Sequence, residues 1–314
     1  MTNAYATCPA SFGNTPAEFR RRVTRVARWT DASPCRGLLV YSDNGMVDPW
    51  ALAQLLIGVT AGVVPLVGTD PAYLHPCAVA RRVASIGFMY GRPVDLNFVA
   101  GTDRGPADAL RGHDRRYARM LEYASVVTRL LAEPEPVTHL GRYYRLTRAA
   151  LHVPRPRAPR LFVSGASPAC IMVGRALGAT RLTSPRPAAD YDARTGSLRG
   201  AGIRLGVIAR DSDAAAWRVA LGRFPSGPSP DDATRRAYWD FPARAYQTYC
   251  PYLVGSQAEV AEHLSSYLRL GVSTVIFDEP REEDDLHHAM VALDRATQLI
   301  AAEQRSADAA SRSS

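Results

Sequence analysis

The chain has 314 residues, a length that a single α/β barrel commonly fills. Hydrophobic residues make up 46% and charged residues 22%, near the globular mean, which excludes disordered, collagen-like and coiled-coil classes. The formal charge is +8, but all 38 basic residues are Arg and they are dispersed, a genome-composition signature and not the clustered stripe of a nucleic-acid binder. The apolar runs at 50–67 and 161–177 are broken by Gly, Pro, Gln or Arg well short of the roughly 20 residues a membrane span needs. The opening MTNAYATCPASFG lacks a basic start followed by an apolar stretch, so a cytoplasmic protein with no membrane partner is expected. Cysteines at 8, 35, 77, 170 and 250 are odd in number with no close pairs, which argues against a disulfide framework or a zinc ribbon.

In chain order, AYATC is a first strand candidate, and Arg20 to Arg28 (RRRVTRVAR) reads as a solvated helix face. GLLVYS (37–42) predicts a strand, and Asp48 with Pro49 opens a helix over PWALAQLLIGVTAG. VVPLVG (63–68), the Pro-started helix 76–88 and the strand VDLNFVAG (94–101) follow. HDRRYARMLEYASVVTRLL (113–131) places Tyr117, Leu121, Val127 and Leu131 largely on one side of a long helix. RLFVSGAS (160–167) leads into ACIMVGRALG, then ATRLTS, IRLGVIAR (203–210), the helix 258–271, the strand STVIFDEP (273–280) and a helix near 285–303. EPEPV (133–137) and VPRPRAPR (153–160) read as connections. Strands alternating with helices imply parallel pairing with crossover helices, and about eight strands without a second composition regime favour a closed (β/α)₈ barrel over a doubly wound sheet. One domain over 1–304 is expected, with the small, polar residues 305–314 as a flexible tail.

In such a barrel the chemistry gathers at the C-terminal ends of the strands, here residues 41–44, 68–70, 97–103, 164–167 and 278–279. VSGASPA is the most informative of these. A strand running through Ser-Gly-Ala-Ser into a helix presents N–H groups and hydroxyls as a phosphate site does, although Ser167 can equally be a plain N-cap with Pro168 behind it. His113 opens a helix after a Gly-containing loop and can face a ligand anion with Arg116 or Tyr117. Cys170, one turn into its helix, is either a stabilised thiolate or, by the commoner outcome, a buried thiol. Adjacent His287 and His288 point about 100° apart on a helix, and the other histidines have no metal spacing, so no metal site is expected. Neither a dinucleotide fingerprint, a P-loop nor a GxSxG elbow is present.

The ordered set DPWALA (48–53), VDLNFVAGTD (94–103), the H-x-x-R-Y helix at 113–117, GRYYRL, the Pro-rich approach, FVSGAS, GIRLGVIARDSDAAAW (202–217) and GSQAEVAEHLSSYLRLGVSTVIF (255–277) resembles the bacterial luciferase-like flavin-dependent monooxygenases, most of all their alkanesulfonate-monooxygenase branch. The resemblance spans roughly residues 37–280. It implies a (β/α)₈ TIM barrel of the luciferase-like type with shortened insertions, holding FMN that a separate reductase delivers in reduced form, and a homodimer. Matched by position, Asn97, His113, Tyr117, Ser164, Gly165, Ala166 and Ser167 would hold the flavin. Arg204 matches an active-site arginine that can stabilise an oxyanion, and Glu279 joins it as a catalytic candidate.

Three departures matter. Gly206 stands where the sulfonate enzymes carry a His, Ser184 where they carry a Trp, and Asp278–Glu279 where a Tyr lies near the last strand. Acidic Glu279 would repel a sulfonate, so a different small organic or carrier-bound substrate of a biosynthetic pathway is expected. The helix after the sixth strand gives way to 186–200, and the long insertion before the last helix shrinks to 231–253. A deazaflavin-dependent oxidoreductase of the same barrel superfamily, and a non-catalytic flavin- or partner-binding relative, are the competing readings.

Overall fold

The computed structural model describes residues 2–43, 45–101, 112–154, 157–191, 198–225, 237–245 and 250–312. Asn44, Thr102 and Asp103 of the strand-end candidates lie outside these, as do 192–197 of the first shortened region and 231–236 with 246–249 of the second. In chain order the elements are β1 (Asn3–Thr7), α1 (Pro16–Asp31), β2 (Gly37–Val40), α2 (Pro49–Val59), β3 (Val64–Thr69), α3 (Pro76–Tyr90), β4 (Asp95–Phe98) and α4 (His113–Ala132). They continue with β5 (Val137–Leu140), β6 (Arg145–Ala149), β7 (Leu161–Ser164), α5 (Pro168–Leu177), β8 (Thr180–Thr183), β9 (Gly202–Arg210), α6 (Asp213–Arg223), β10 (Tyr238–Trp239) and α7 (Phe241–Ala245). The last are β11 (Tyr252–Ser256), α8 (Gln257–Arg269), β12 (Thr274–Phe277) and α9 (Glu283–Arg312). Among the described residues no helix is long and apolar enough to cross a membrane.

These elements fall into two compact units, one of residues 8–28 with 37–182, the other of 1–7, 29–36 and 183–314. In the first, β2, β3, β4, β7 and β8 pair in that order, all parallel, with Gly68 opposite Asn97 and Asn97 opposite Phe162. The helices start where the sequence signals a start. Asp48 Oδ1 accepts from the N–H groups of Trp50 and Ala51 with Pro49 in the first turn of α2, and Ser167 with Pro168 opens α5 in the same way. Tyr117, Met120, Ala124, Val127 and Leu131 recur at helical spacing on α4 and are buried against Val79 and Val83 of α3 and Phe98 of β4. Each fully buried large apolar side chain there contributes about 1.5–3 kcal/mol.

The β5–β6 hairpin occupies a stretch that the sequence placed among connections and motif residues. Glu122 of α4 holds its turn: Oε1 accepts from the N–H groups of Tyr143 and Tyr144 at 3.0 and 2.8 Å, and Oε2 from that of Arg142 at 3.1 Å. A carboxylate 20 residues upstream of that turn does what no local turn signal announces.

In the second unit β12 pairs in parallel with both β1 and β9, from Thr274 opposite Gly202 to Phe277 opposite Leu205. The outer half of β9 pairs with β11, Tyr252 lying opposite Gly206, and β10 runs antiparallel to β11. Trp217, Phe224, Trp239 and Tyr252 pack edge to face, Trp217–Trp239 at 5.3 Å and Phe224–Tyr252 at 5.4 Å between ring centroids. Buried Asp285 at the start of α9 takes Nη2 of both Arg210 and Arg223 at 2.8 Å on Oδ1, and the N–H groups of Arg281 and Glu282 on Oδ2. Helix α9 runs on to Arg312, through most of the segment assigned to the tail; its last turns are rich in Ala, the strongest helix former.

Candidate active site

In the first unit the predicted coenzyme residues converge on the ends of β4 and β7 and the start of α4 and α5. Ser164 Oγ donates to Asn97 Oδ1 at 2.9 Å, so the buried amide of β4 is oriented by its neighbour on β7. Beyond Ser164 the chain enters Gly165 at φ +144°, and a Cβ there would lie 2.5 Å from Tyr117 Oη and 3.2 Å from Cys170 Sγ. Only glycine fits both the backbone and the space. The Tyr117 hydroxyl lies beside the Ser167 and Cys170 side chains, and its ring lies 4.8 Å from that of half-exposed His113. Burial pushes the Tyr117 phenol up, so it remains a neutral donor at physiological pH.

Ser167 Oγ caps α5 by accepting from the Cys170 N–H at 3.3 Å, while Ala166 stands exposed at the tip of the loop. The Gly165 N–H donates to the Leu182 carbonyl at 2.9 Å, whereas the N–H groups of Ala166 and Ser167 have no acceptor among the described residues. Two unspent N–H donors, two hydroxyls and a helix N-terminus form a cradle of the kind that fits a phosphate. Cys170 itself is fully buried, and burial pushes its thiol up; it is the inert thiol of the two readings.

The catalytic candidates lie in the second unit. Arg204 Nη2 donates to Asp278 Oδ1 at 2.6 Å, and Tyr252 Oη donates to Asp278 Oδ2 at 2.7 Å. All three side chains are largely buried, with Arg204 and Asp278 at 13% and 11% exposure. Burial drives the Tyr252 phenol well up, the Asp278 charge adding to it, which keeps the proton on the tyrosine. Glu279 follows, partly buried, and lines a narrow cleft with Gly206, Tyr252 and Asp278, to which the paired Arg223 and Asp285 also contribute. A side chain at Gly206 would run into the Tyr252 ring, its Cβ 2.3 Å from Cε1.

Sequence reasoning placed Arg204 and Asp278 but missed Tyr252, because β11 was not recognised as a strand. The available signal was Gly206 itself, a glycine inside the β-branched strand GIRLGVIAR, which marks close approach by another group. His288 Nδ1 lies 2.6 Å from Gln257 Nε2 at the side of α9, and no group of three or more His, Cys, Asp or Glu is placed for a metal among the described residues.

Residues 7–274 match the luciferase-like monooxygenase family. The chain belongs to that family. The luciferase-like monooxygenases are flavin-using oxidoreductases, and a curated member, the 4-(gamma-L-glutamylamino)butanoyl-(BtrI acyl-carrier protein) monooxygenase BtrO of Niallia circulans, is 28% identical over 311 residues, covering 88% of this chain and 91% of its own. Among solved structures, monooxygenase RslO1 from Streptomyces bottropensis superposes with a TM-score of 0.69 at 17% identity, covering 92% of this chain and 96% of its own. EDTA monooxygenase EmoA from Chelativorans sp. BNC1 gives 0.70 at 15%, covering 96% and 94%. The luciferase-like fold is thus the (β/α)₈ TIM barrel, with β1, β2, β3, β4, β7, β8, β9 and β12 as its parallel strands. The match is to the luciferase-like family as a whole, and the alkanesulfonate branch stays an expectation. Structures of this fold include one with FMN and one with a deazaflavin adduct, so the fold alone does not choose between these coenzymes.

Proposed function

We propose that this chain is a two-component monooxygenase that takes reduced FMN from a separate reductase and oxidises a carrier-bound acyl substrate in a biosynthetic pathway. The carrying observation is the 164–167 loop, whose unspent Ala166 and Ser167 N–H groups open α5 beside the hydroxyls of Ser167 and Tyr117. That donor set fits the phosphate of FMN. The BtrO relative, whose substrate is carried on an acyl-carrier protein, supports the substrate class. In this reading residues 1–304 form one barrel domain with 305–314 as its tail, and two copies associate in the cytoplasm.

Ala166 and Ser167 would hold the phosphate, Tyr117 and His113 would lie along the coenzyme, and Ser164 would act by fixing Asn97, whose amide would face the flavin ring. Bound reduced flavin supplies two electrons to O₂, so that one oxygen atom enters the substrate and the other leaves as water. Arg204, anchored by Asp278, stabilises negative charge that develops on a substrate oxygen, and Glu279 accepts a hydrogen bond or proton from the substrate. Gly206 and Asp278–Glu279 in place of the His and Tyr of the sulfonate enzymes support a substrate other than a sulfonate.

Anaerobic titration with reduced FMN, then addition of O₂ and of 4-(gamma-L-glutamylamino)butanoyl carrier protein or simpler aminoacyl carrier proteins, tests this. Micromolar binding, and a product heavier by one oxygen atom in mass spectrometry, is the expected result. Hydride transfer with a deazaflavin in place of FMN, or flavin binding without turnover of any carrier-bound acyl group, would replace the reading with one of its two competitors.

A further inference from the structure

The β5–β6 hairpin carries a face that the coenzyme loop does not use. Leu140 and Arg145 lie opposite each other in its register, so their side chains share one face, while His139 and Leu146 turn the other way, toward Glu122 and the core. The shared face is open. Leu140 is 79% exposed, the most of any large apolar side chain among the described residues, and Arg142 of the turn and Arg145 of β6 are exposed with it. Residues 137–149 hold three arginines, at 142, 145 and 148, and no acidic residue. None of the three is ion-paired among the described residues, and the Glu122 carboxylate that latches the turn is taken up by three backbone N–H groups and His139. Tyr144 Oη accepts from Arg119 Nε at 2.9 Å and donates to the Pro71 carbonyl just past β3 at 3.4 Å. The turn is thereby fixed at the end of the strands where the coenzyme candidates lie. Arg119 and Glu122 follow Tyr117 on α4 by two and five residues, about 3 and 7.5 Å along the helix axis.

We propose that this hairpin face docks an acidic carrier protein, with Leu140 meeting an apolar side chain of the carrier and Arg142 and Arg145 meeting its carboxylates. The docking rests on the carrier-bound substrate reading and adds where the carrier sits. Acyl carrier proteins are small helical domains rich in Asp and Glu, and exposed guanidiniums pair with carboxylates in a two-pronged geometry. Charge decides the occupant. In a two-fold contact between copies of this chain through the same face, Arg142 and Arg145 would meet the same arginines, a repulsion that an acidic partner turns into attraction. The turn is ordered before anything binds, latched by Glu122 and Tyr144, and the Arg142 guanidinium already lies over the Tyr143 ring at 5.5 Å. Little ordering entropy is therefore lost on docking. A carrier held there presents its tethered acyl group beside the half of α4 that bears His113 and Tyr117.

The test uses the BtrI acyl-carrier protein as probe in biolayer interferometry with the full chain, together with kinetics on the 4-(gamma-L-glutamylamino)butanoyl group carried either by that protein or by free pantetheine. Wild type should bind the carrier, and more weakly as salt rises. Arg142→Glu with Arg145→Glu, and Leu140→Ser by itself, should each raise the Kd and the KM for the carrier-bound substrate at least about tenfold, while kcat and KM for the pantetheine thioester stay at wild-type values. Arg142→Gln with Arg145→Gln, which only removes charge, serves in place of the glutamate pair if melting curves show that pair to be misfolded. Carrier binding absent in wild type or unchanged in the variants would overturn the docking. So would a dimer lost in Leu140→Ser by light scattering with carrier binding intact, which would give the face to a second copy. Failure to turn over even the pantetheine thioester would strike the monooxygenase reading instead, and the binding measurement would still decide the docking.

Discussion

Gly206 and the ring of Tyr252 share one space: a Cβ built on Gly206 would lie 2.3 Å from Cε1 and 2.4 Å from Cδ1 of the ring. The pairing Tyr252–Gly206 across β11 and β9 puts them there, and Trp239 and Phe224 close the other sides of the ring. Gly206→Ala is therefore expected to cost about 1–3 kcal/mol, the usual range for overpacking. Urea unfolding measures it, and the cost should shrink when the same substitution is made in a Tyr252→Ala background. Equal costs in the two backgrounds would show that ring and glycine do not oppose each other.

Ser167 has two duties that substitution can separate. Ser167→Ala removes the N-cap of α5 and should lower stability by about 1 kcal/mol, whereas Ser167→Gly costs a few tenths. If the hydroxyl also holds the coenzyme phosphate, both variants lose FMN affinity to the same degree, with His113→Ala losing it as well. Fluorescence titration with FMN reads the affinity. Wild-type affinity in all three would remove the phosphate from this loop.

Gly165→Ala should act more strongly than either. It forces a β-carbon onto a φ of +144° and against Tyr117 Oη, strain of about 1–3 kcal/mol. Because Tyr117 has to move, FMN binding should fall together with thermal stability, while Tyr117→Phe combined with Gly165→Ala should recover part of the stability. No recovery in that double variant would place the strain in the backbone alone.

Acid stability should depend on Asp285. Burial by itself would raise its carboxyl, but the Arg223 and Arg210 guanidiniums outweigh burial and hold it below the ordinary carboxylate range. A depressed folded pKa means that the stabilisation is complete above the unfolded value of about 3.9 and is lost as pH falls toward the folded one. Asp285→Asn should flatten the acid limb of the stability curve, and Asp285→Ala should cost about 3–5 kcal/mol at pH 7 by leaving two arginines uncompensated. Denaturation midpoints between pH 3 and pH 7 check both; parallel acid limbs in wild type and Asp285→Asn would contradict this account.

The repeating part of the fold was legible because its signals are local. Asp48–Pro49, Ser167–Pro168 and the apolar spacing of α4 each lie within one turn or one helix face, and the observed α2, α5 and α4 begin where these signals put them. The 164–167 turn was legible for the same reason, since strand, Ser-Gly-Ala-Ser and helix are contiguous. The β5–β6 hairpin and β11 were not. One is latched by Glu122 from a preceding helix, and the other is a five-residue strand whose partner β9 lies over 40 residues upstream in the chain.

By itself the sequence determined the alternation of strands and helices, the helix starts, the strand-to-helix turn at 164–167 and the family resemblance, all properties of neighbouring residues or of motif order. Only tertiary structure decided which side chains meet. Tyr252 could not be connected to Asp278, or Asp278 to Arg204, from spacings of 26 and 74 residues, because register between parallel strands is set by packing and not by separation along the chain. Whether an arginine meets a ligand as a free cation or as half of a neutral pair is fixed by that register, and so the charge of this site was decided in three dimensions.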